Sequence, residues 1–321
     1  MERKWIHNFA KNIHSATVNQ TIYSDENANE IRFSEIKKIE SEVAFKGLGI
    51  KYVVSGEETY YANGKKFMVR EGEYIIGNDF TKSIVQINQE KVVEGICIDI
   101  STQIVSDVAA FYDLQPSNLK EFLLSDQFFV NRYNVKNTSI GYSLSEINKR
   151  IKSGSFANSL QEQELFYSLA ESIITDQRFI FDHLNNLDFK KNITNEEVFR
   201  LILQAKNFID ENIKENLSLD EISVTIGISK YHFIRMFKQA FGVSPYQYQK
   251  RKRLDFARLD LMNGNDILYT AIRYGFPDAP TFSKAFKQQF GQTPGAVRIS
   301  NIWQARFLIK TFLCQKLVYA A

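Results

Sequence analysis

The residues of this 321-residue chain best placed to do chemistry are aromatic and cationic, and they recur. Phe233-x3-Phe237-Lys238-x2-Phe241-Gly242-x2-Pro245 returns as Phe282-x3-Phe286-Lys287-x2-Phe290-Gly291-x2-Pro294, at one constant offset. At helical spacing Phe233, Met236, Phe237, Ala240 and Phe241 share one face, and Tyr231, Ile234, Arg235 and Lys238 share the other. In the second copy Phe282, Ala285, Phe286 and Phe290 face inward, leaving Ala279, Pro280, Ser283, Lys284 and Lys287 outward. The aromatic faces are core. The opposite ridges offer cations for charge-assisted hydrogen bonds to a polyanion. A solvated helix face would account for such cations on any single helix, but a duplicated frame is harder to explain that way.

The charge distribution points the same way. The net charge of +3 divides unevenly: residues 228–300 hold twelve Lys/Arg against four Asp/Glu, residues 301–321 add three cations and no acid, and residues 1–227 carry −8. The basic stretch suits a polyanion that the rest would repel.

Each copy of the repeat follows a shorter helix and a glycine turn, Leu219 to Ile226 with Gly227 and Ile267 to Tyr274 with Gly275. That order predicts two helix-turn-helix units. Ser218-Leu-Asp-Glu221 reads as a capping box, and Ser244-Pro245 and Thr293-Pro294 as caps followed by first-turn prolines. Ser223 and Ala271, four residues before the turn glycines, are small enough for the second helix to cross closely. Between the units, Pro245 to Met262 predicts a helix of roughly 27 Å at 1.5 Å per residue, ended by Asn263-Gly264. Major grooves return to one face of duplex DNA about every 34 Å, so such a spacer can set both second helices in successive grooves. Phosphate contacts are expected from Lys230, Lys238, Lys250, Arg251, Lys252, Arg253, Lys287 and Arg298.

The segment from about Leu201 to Ser300 resembles the AraC/XylS family of transcription regulators. The resemblance rests on Ser229-Lys-Tyr-His-Phe-Ile-Arg-Met-Phe-Lys238, Ile267-Leu-Tyr-x-Ala-x-Arg-Tyr-Gly-Phe276 and Phe286-Lys-x2-Phe-Gly-x-Thr-Pro294. It implies seven helices, two helix-turn-helix units joined by one long helix, and regulation of promoter DNA, commonly as an activator with RNA polymerase as partner. Base-reading positions then fall on Tyr231, Ile234 and Arg235 in the first unit and on Ala279, Pro280, Ser283 and Lys284 in the second. Arg235 suits guanine N7 and O6, and Ile234 suits a thymine methyl. Ala279 and Pro280 offer no side-chain hydrogen bond, so the second unit is expected to make mostly backbone and shape contacts.

Residues 30–135 read as short alternating or apolar runs broken by glycine, with a hairpin at Asn63-Gly64 and a turn at Arg70-Glu-Gly-Glu-Tyr74. This stretch resembles the cupin-like sensor barrel of many family members, mainly over Val69-Arg-Glu-Gly-Glu-Tyr-Ile-Ile76. Two helical stripes follow: Leu144, Ile147 and Ile151, then Leu165, Phe166, Leu169, Ile173 and Phe179. The expected class is α+β: a cupin-like β-barrel or jelly roll with flanking helices, then an all-α domain. The expected boundaries are 1–185 for the sensor or dimerisation domain, 186–200 for a linker, 201–300 for the DNA-binding domain and 301–321 for a tail without assigned role.

The resemblance implies a small-molecule effector, unnamed by any residue. The rival reading makes the first domain only a dimerisation or partner-binding module, so a homodimer stays open. An enzyme of the metal-cupin kind would need clustered histidines, and His7, His14, His183 and His232 all fall outside the expected barrel; no cofactor or metal is expected. Cys97 and Cys314 are too few for a disulfide framework or a structural zinc site. No apolar run approaches a membrane span, and the charged N-terminus lacks a secretory core, so the cytoplasm is the expected location.

Overall fold

The computed structural model describes residues 16–25, 28–112, 118–154, 162–187, 192–215 and 217–299. The chain forms two compact units that divide between Phe181 and Asp182. The expected tail, 301–321, lies outside the described residues. Among the described residues no helix is long and apolar enough to cross a membrane.

The first unit is strand-rich. Its strands are β1 (Ala16–Ser24), β2 (Glu30–Val43), β3 (Leu48–Ser55), β4 (Glu57–Ala62), β5 (Lys65–Arg70), β6 (Glu73–Asn78), β7 (Ser83–Ile100) and β8 (Asn131–Asn134). They pair along the path β1-β2-β7-β3-β6-β8, with β4 joined to both β5 and β7. The long strand β7 organises the sheet. Its first half pairs with the end of β2 and with β4, its second half with the start of β2 and with β3. Alternation is clean on β5, where Phe67 and Val69 point inward between exposed Lys66, Met68 and Arg70. Asn63 and Gly64 take φ of 48° and 75°, and the hairpin they turn pairs Ala62 with Lys65.

Two expectations for this unit need correction. Among the described residues the sheet runs open from β1 to β8 and does not close into a barrel, because β8 is four residues long and pairs only with β6. Two helices, α1 (Thr102–Tyr112) and α2 (Leu119–Leu123), also lie inside the stretch read as strands. Burial of Ile104, Val105, Val108 and Ala109 follows a helical period there, which a reading tuned to short apolar runs does not separate from a strand. The helices α3 (Gly141–Lys152) and α4 (Glu162–Asn185) stand where their apolar stripes placed them.

Among its described residues the second unit carries seven further helices: α5 (Asn192–Glu211), α6 (Leu219–Ile226), α7 (Lys230–Phe241), α8 (Pro245–Met262), α9 (Ile267–Arg273), α10 (Ala279–Phe290) and α11 (Pro294–Ile299). The first of them starts inside the expected linker, 186–200. Phe199, Ile202, Ala205 and Ile209 are buried at helical spacing, and the polar residues before them hide that period in the sequence.

Candidate nucleic-acid interface

The first helix-turn-helix unit is α6 and α7. Ser218 and Glu221 close a reciprocal cap, Glu221 N donating to Ser218 Oγ at 3.1 Å and Ser218 N to Glu221 Oε2 at 2.7 Å. Gly227 ends α6 at φ 74°, and Ser229 caps α7 by accepting from His232 N. On α7 the rings of Phe233, Phe237 and Phe241 form a ladder with centroids 5.6 and 4.7 Å apart, edge to face. Opposite that ladder Tyr231 is 89% exposed, Arg235 and Lys238 are exposed, and Ile234 is half-buried. Lys230 is exposed but holds Asp220 at 2.8 Å, so a phosphate would have to compete with that carboxylate.

The second unit is α9 and α10. Asp266 caps α9 through Leu268 N and Tyr269 N, and Ala271 is fully buried where the helices cross. The α10 ladder of Phe282, Phe286 and Phe290 has centroid spacings of 5.4 and 4.6 Å. Pro280, Lys284 and Lys287 are exposed outward, while Ala279 and Ser283 are half-buried. One difference between the units escaped the sequence reading. Where Ser229 caps α7, Asp278 caps α10, accepting from Thr281 N at 2.6 Å. That hydrogen bond keeps the Asp278 carboxyl below its usual range and leaves a fixed negative charge where a phosphate would approach the helix end.

The long helix α8 joins the units and is tied to each. Tyr248 Oη donates to Asp210 of α5 at 2.9 Å. Arg273 of α9 pairs with Asp260 at 3.0 Å, and Gln289 of α10 donates to Asp255 Oδ1 at 2.8 Å and to the Arg251 carbonyl. Burial pushes the Asp255 carboxyl up to about 6, against the pull of Lys252 and Gln289. Burial alone would raise Asp210 as well, but Lys206, Lys252 and the hydrogen bonds it accepts hold it below the usual range.

The basic run on α8 divides. Arg251 is exposed and Lys250 half-buried. Lys252 lies 5.7 Å over the Tyr248 ring, and burial lowers its ammonium pKa although Asp210 opposes the shift. Arg253 must be removed from the expected phosphate contacts. It is 9% exposed, and its guanidinium donates to the carbonyls of Ile213 and Glu215 just beyond α5. The reason is angular: Arg253 shares the buried stripe of Gln249 and Ala257, one turn away on either side. The side chain of Arg298, on α11, lies outside the described residues.

Comparison with known proteins converges on this same segment. A family model for a helix-turn-helix domain matches residues 222–299. The multiple antibiotic resistance protein MarA of Escherichia coli (strain K12) is 36% identical over 104 residues, which cover 32% of this chain and 82% of MarA. The transcriptional regulator Rob of Salmonella typhimurium is 36% identical over 99 residues, 30% of this chain and 34% of Rob, so the chain spans about a third of that relative's length. Among solved structures, a transcriptional regulator from Chromobacterium violaceum with an AraC-type DNA-binding domain is 32% identical over 31% of this chain and 89% of that one, at a TM-score of 0.30. With most of MarA covered at that identity, the chain belongs to the AraC/XylS family of DNA-binding transcription regulators.

Proposed function

We propose that one chain docks both reading helices, α7 and α10, into successive major grooves of promoter DNA, and that a small ligand in the first unit modulates the docking. The observation that supports it most is the pair of phenylalanine ladders with cations on their outer sides, held on one spacer helix. Tyr231, Ile234 and Arg235 read bases in the first groove. Ala279, Pro280, Ser283 and Lys284 meet the second mainly through shape, with Lys238, Arg251 and Lys287 on phosphates and Lys230, Lys250 and Lys252 at the margin. RNA polymerase as partner, activation as the sign of regulation and a cytoplasmic location belong to the same reading.

The test is anisotropy of the full chain on duplex DNA across salt concentrations. About six phosphate contacts give a log–log slope of roughly −5 to −6, and a flat dependence would refute the docking. Titration with cell extracts, read by thermal shift and by DNA affinity, separates a sensor from a dimerisation scaffold. A shift in both supports the sensor.

A further inference from the structure

The first helices of the two helix-turn-helix units share one frame, but their outer faces differ. Seven, six and three residues before the turn glycine, α6 carries Asp220, Glu221 and Val224, and α9 carries Leu268, Tyr269 and Ile272. All six are exposed. The inner residues at matching places, Ser223 and Ala271, are both buried, so the fold dictates the inner face and leaves the outer one to other demands. The two acids of α6 suit water. The face of α9 does not: Leu268, Tyr269 and Ile272 are each more than half exposed and lie within one turn of each other, with the Arg273 guanidinium 5.9 Å from the Tyr269 ring. Among the described residues of this unit the other exposed large apolar side chains, Val224, Tyr231 and Tyr246, stand singly on α6, α7 and α8. Single exposed apolar residues are ordinary, whereas a contiguous group marks a surface that something covers.

The same chain supplies a segment of matching chemistry. Residues 301–321 lie outside the described residues, but their sequence is two-thirds apolar, fourteen of 21, against 44% for the whole chain. Trp303, Phe307 and Phe312 are its largest apolar side chains, and its formal charges are three cations, Arg306, Lys310 and Lys316. So apolar a segment gains by leaving water for an apolar bed. The exposed carboxylate of Asp266, which caps the start of α9, complements the cations. Position agrees as well. The helix before this tail, α11, places Val297 in one core with Ala271 of α9 and Tyr274 just beyond it, so the tail departs from the core that α9 helps to build.

We propose that residues 302–321 fold back over the Leu268, Tyr269 and Ile272 face of α9, with Trp303 as anchor, and brace the second helix-turn-helix unit from within the chain. The corresponding face of α6 has one apolar side chain, Val224, beside two carboxylates, and offers no such bed.

The test follows Trp303 by fluorescence and acrylamide quenching in the full chain carrying Trp5→Phe, which leaves one tryptophan. Trp303 is expected to be shielded from the quencher. Leu268→Gln combined with Ile272→Gln keeps good helix formers at exposed positions, yet should shift the emission to the red, raise quenching roughly twofold and lower the melting temperature. Val224→Gln should change none of the three. Trp303→Gln should lower the melting temperature about as much as the α9 pair, and all three changes together should lower it no further. Free quenching of Trp303 in the parent chain, indifference to the α9 pair, an equal response to Val224→Gln, or additive losses would each overturn the brace. Shielding that disappears on dilution would overturn it too, by assigning the cover to a second copy.

Discussion

The guanidinium of Arg253 lies against the backbone of Gly275, so closely that a Cβ on the glycine would stand 2.9 Å from Nη1. The same guanidinium donates to the Ile213 and Glu215 carbonyls. One buried side chain on the spacer helix thus supports both the segment entering the first helix-turn-helix unit and the turn of the second.

Gly275→Ala should therefore destabilise the second unit twice over, by strain at φ 75° and by displacing Arg253. The expected loss is about 1–3 kcal/mol in urea unfolding. Gly264→Ala is the comparison, since it shares a positive φ of 88° but has open space around it, and it should cost less.

Arg253→Met should lower stability while leaving the salt slope of DNA binding unchanged in whatever fraction stays folded. Arg251→Met should do the reverse, reducing the slope by about 1 with little change in unfolding. Equal slopes for both variants would return Arg253 to the phosphate contacts.

Arg235→Ala is expected to cost about 1–3 kcal/mol and to relax one base position, measured by selection from random duplexes. Lys238→Ala should weaken every sequence alike. A uniform loss for both would show that Arg235 touches only the backbone.

Asp278→Ser keeps a helix cap and removes the charge, so affinity for all sequences should rise at low salt. The gain should fade as salt increases. No change would place the start of α10 away from phosphates.

Glu58 makes the first unit sensitive to pH. Its folded carboxyl, at about 7, lies above the ordinary glutamate value of 4.5, so the native state binds the extra proton and stability falls as pH rises between those values. Glu58→Gln should remove that slope, gaining about 2 kcal/mol more over the wild type at pH 8 than at pH 5. Parallel pH profiles would mean that solvent reaches the carboxyl freely.

Much of the interface was legible because its local rules are strong. Caps, turn glycines and the phenylalanine period fix α6, α7, α9 and α10 to within a residue, and the outward residues follow from the buried ones. Arg253 was not legible, because a run of four cations says nothing about which one the neighbouring helix covers. Asp278 was visible in the sequence but not as a cap opposite Ser229. In the first unit Lys51 within Leu48 to Val53, and Asp99 between Ile98 and Ile100, were signals of a buried polar cluster: lone charges in otherwise apolar strands must find partners inside. Their pairing across β2, β3 and β7 depends on register, which the sequence does not give.

The unlike caps at Ser229 and Asp278 make the duplicated fold directional. Reading heads with different polarity and different side chains cannot exchange places on a stretch of duplex, so turning the recognition sequence end for end presents each head with the wrong partner. On the docking proposed above, a single chain would need no palindrome, and the orientation of its target would set which way along the DNA the rest of the molecule is delivered.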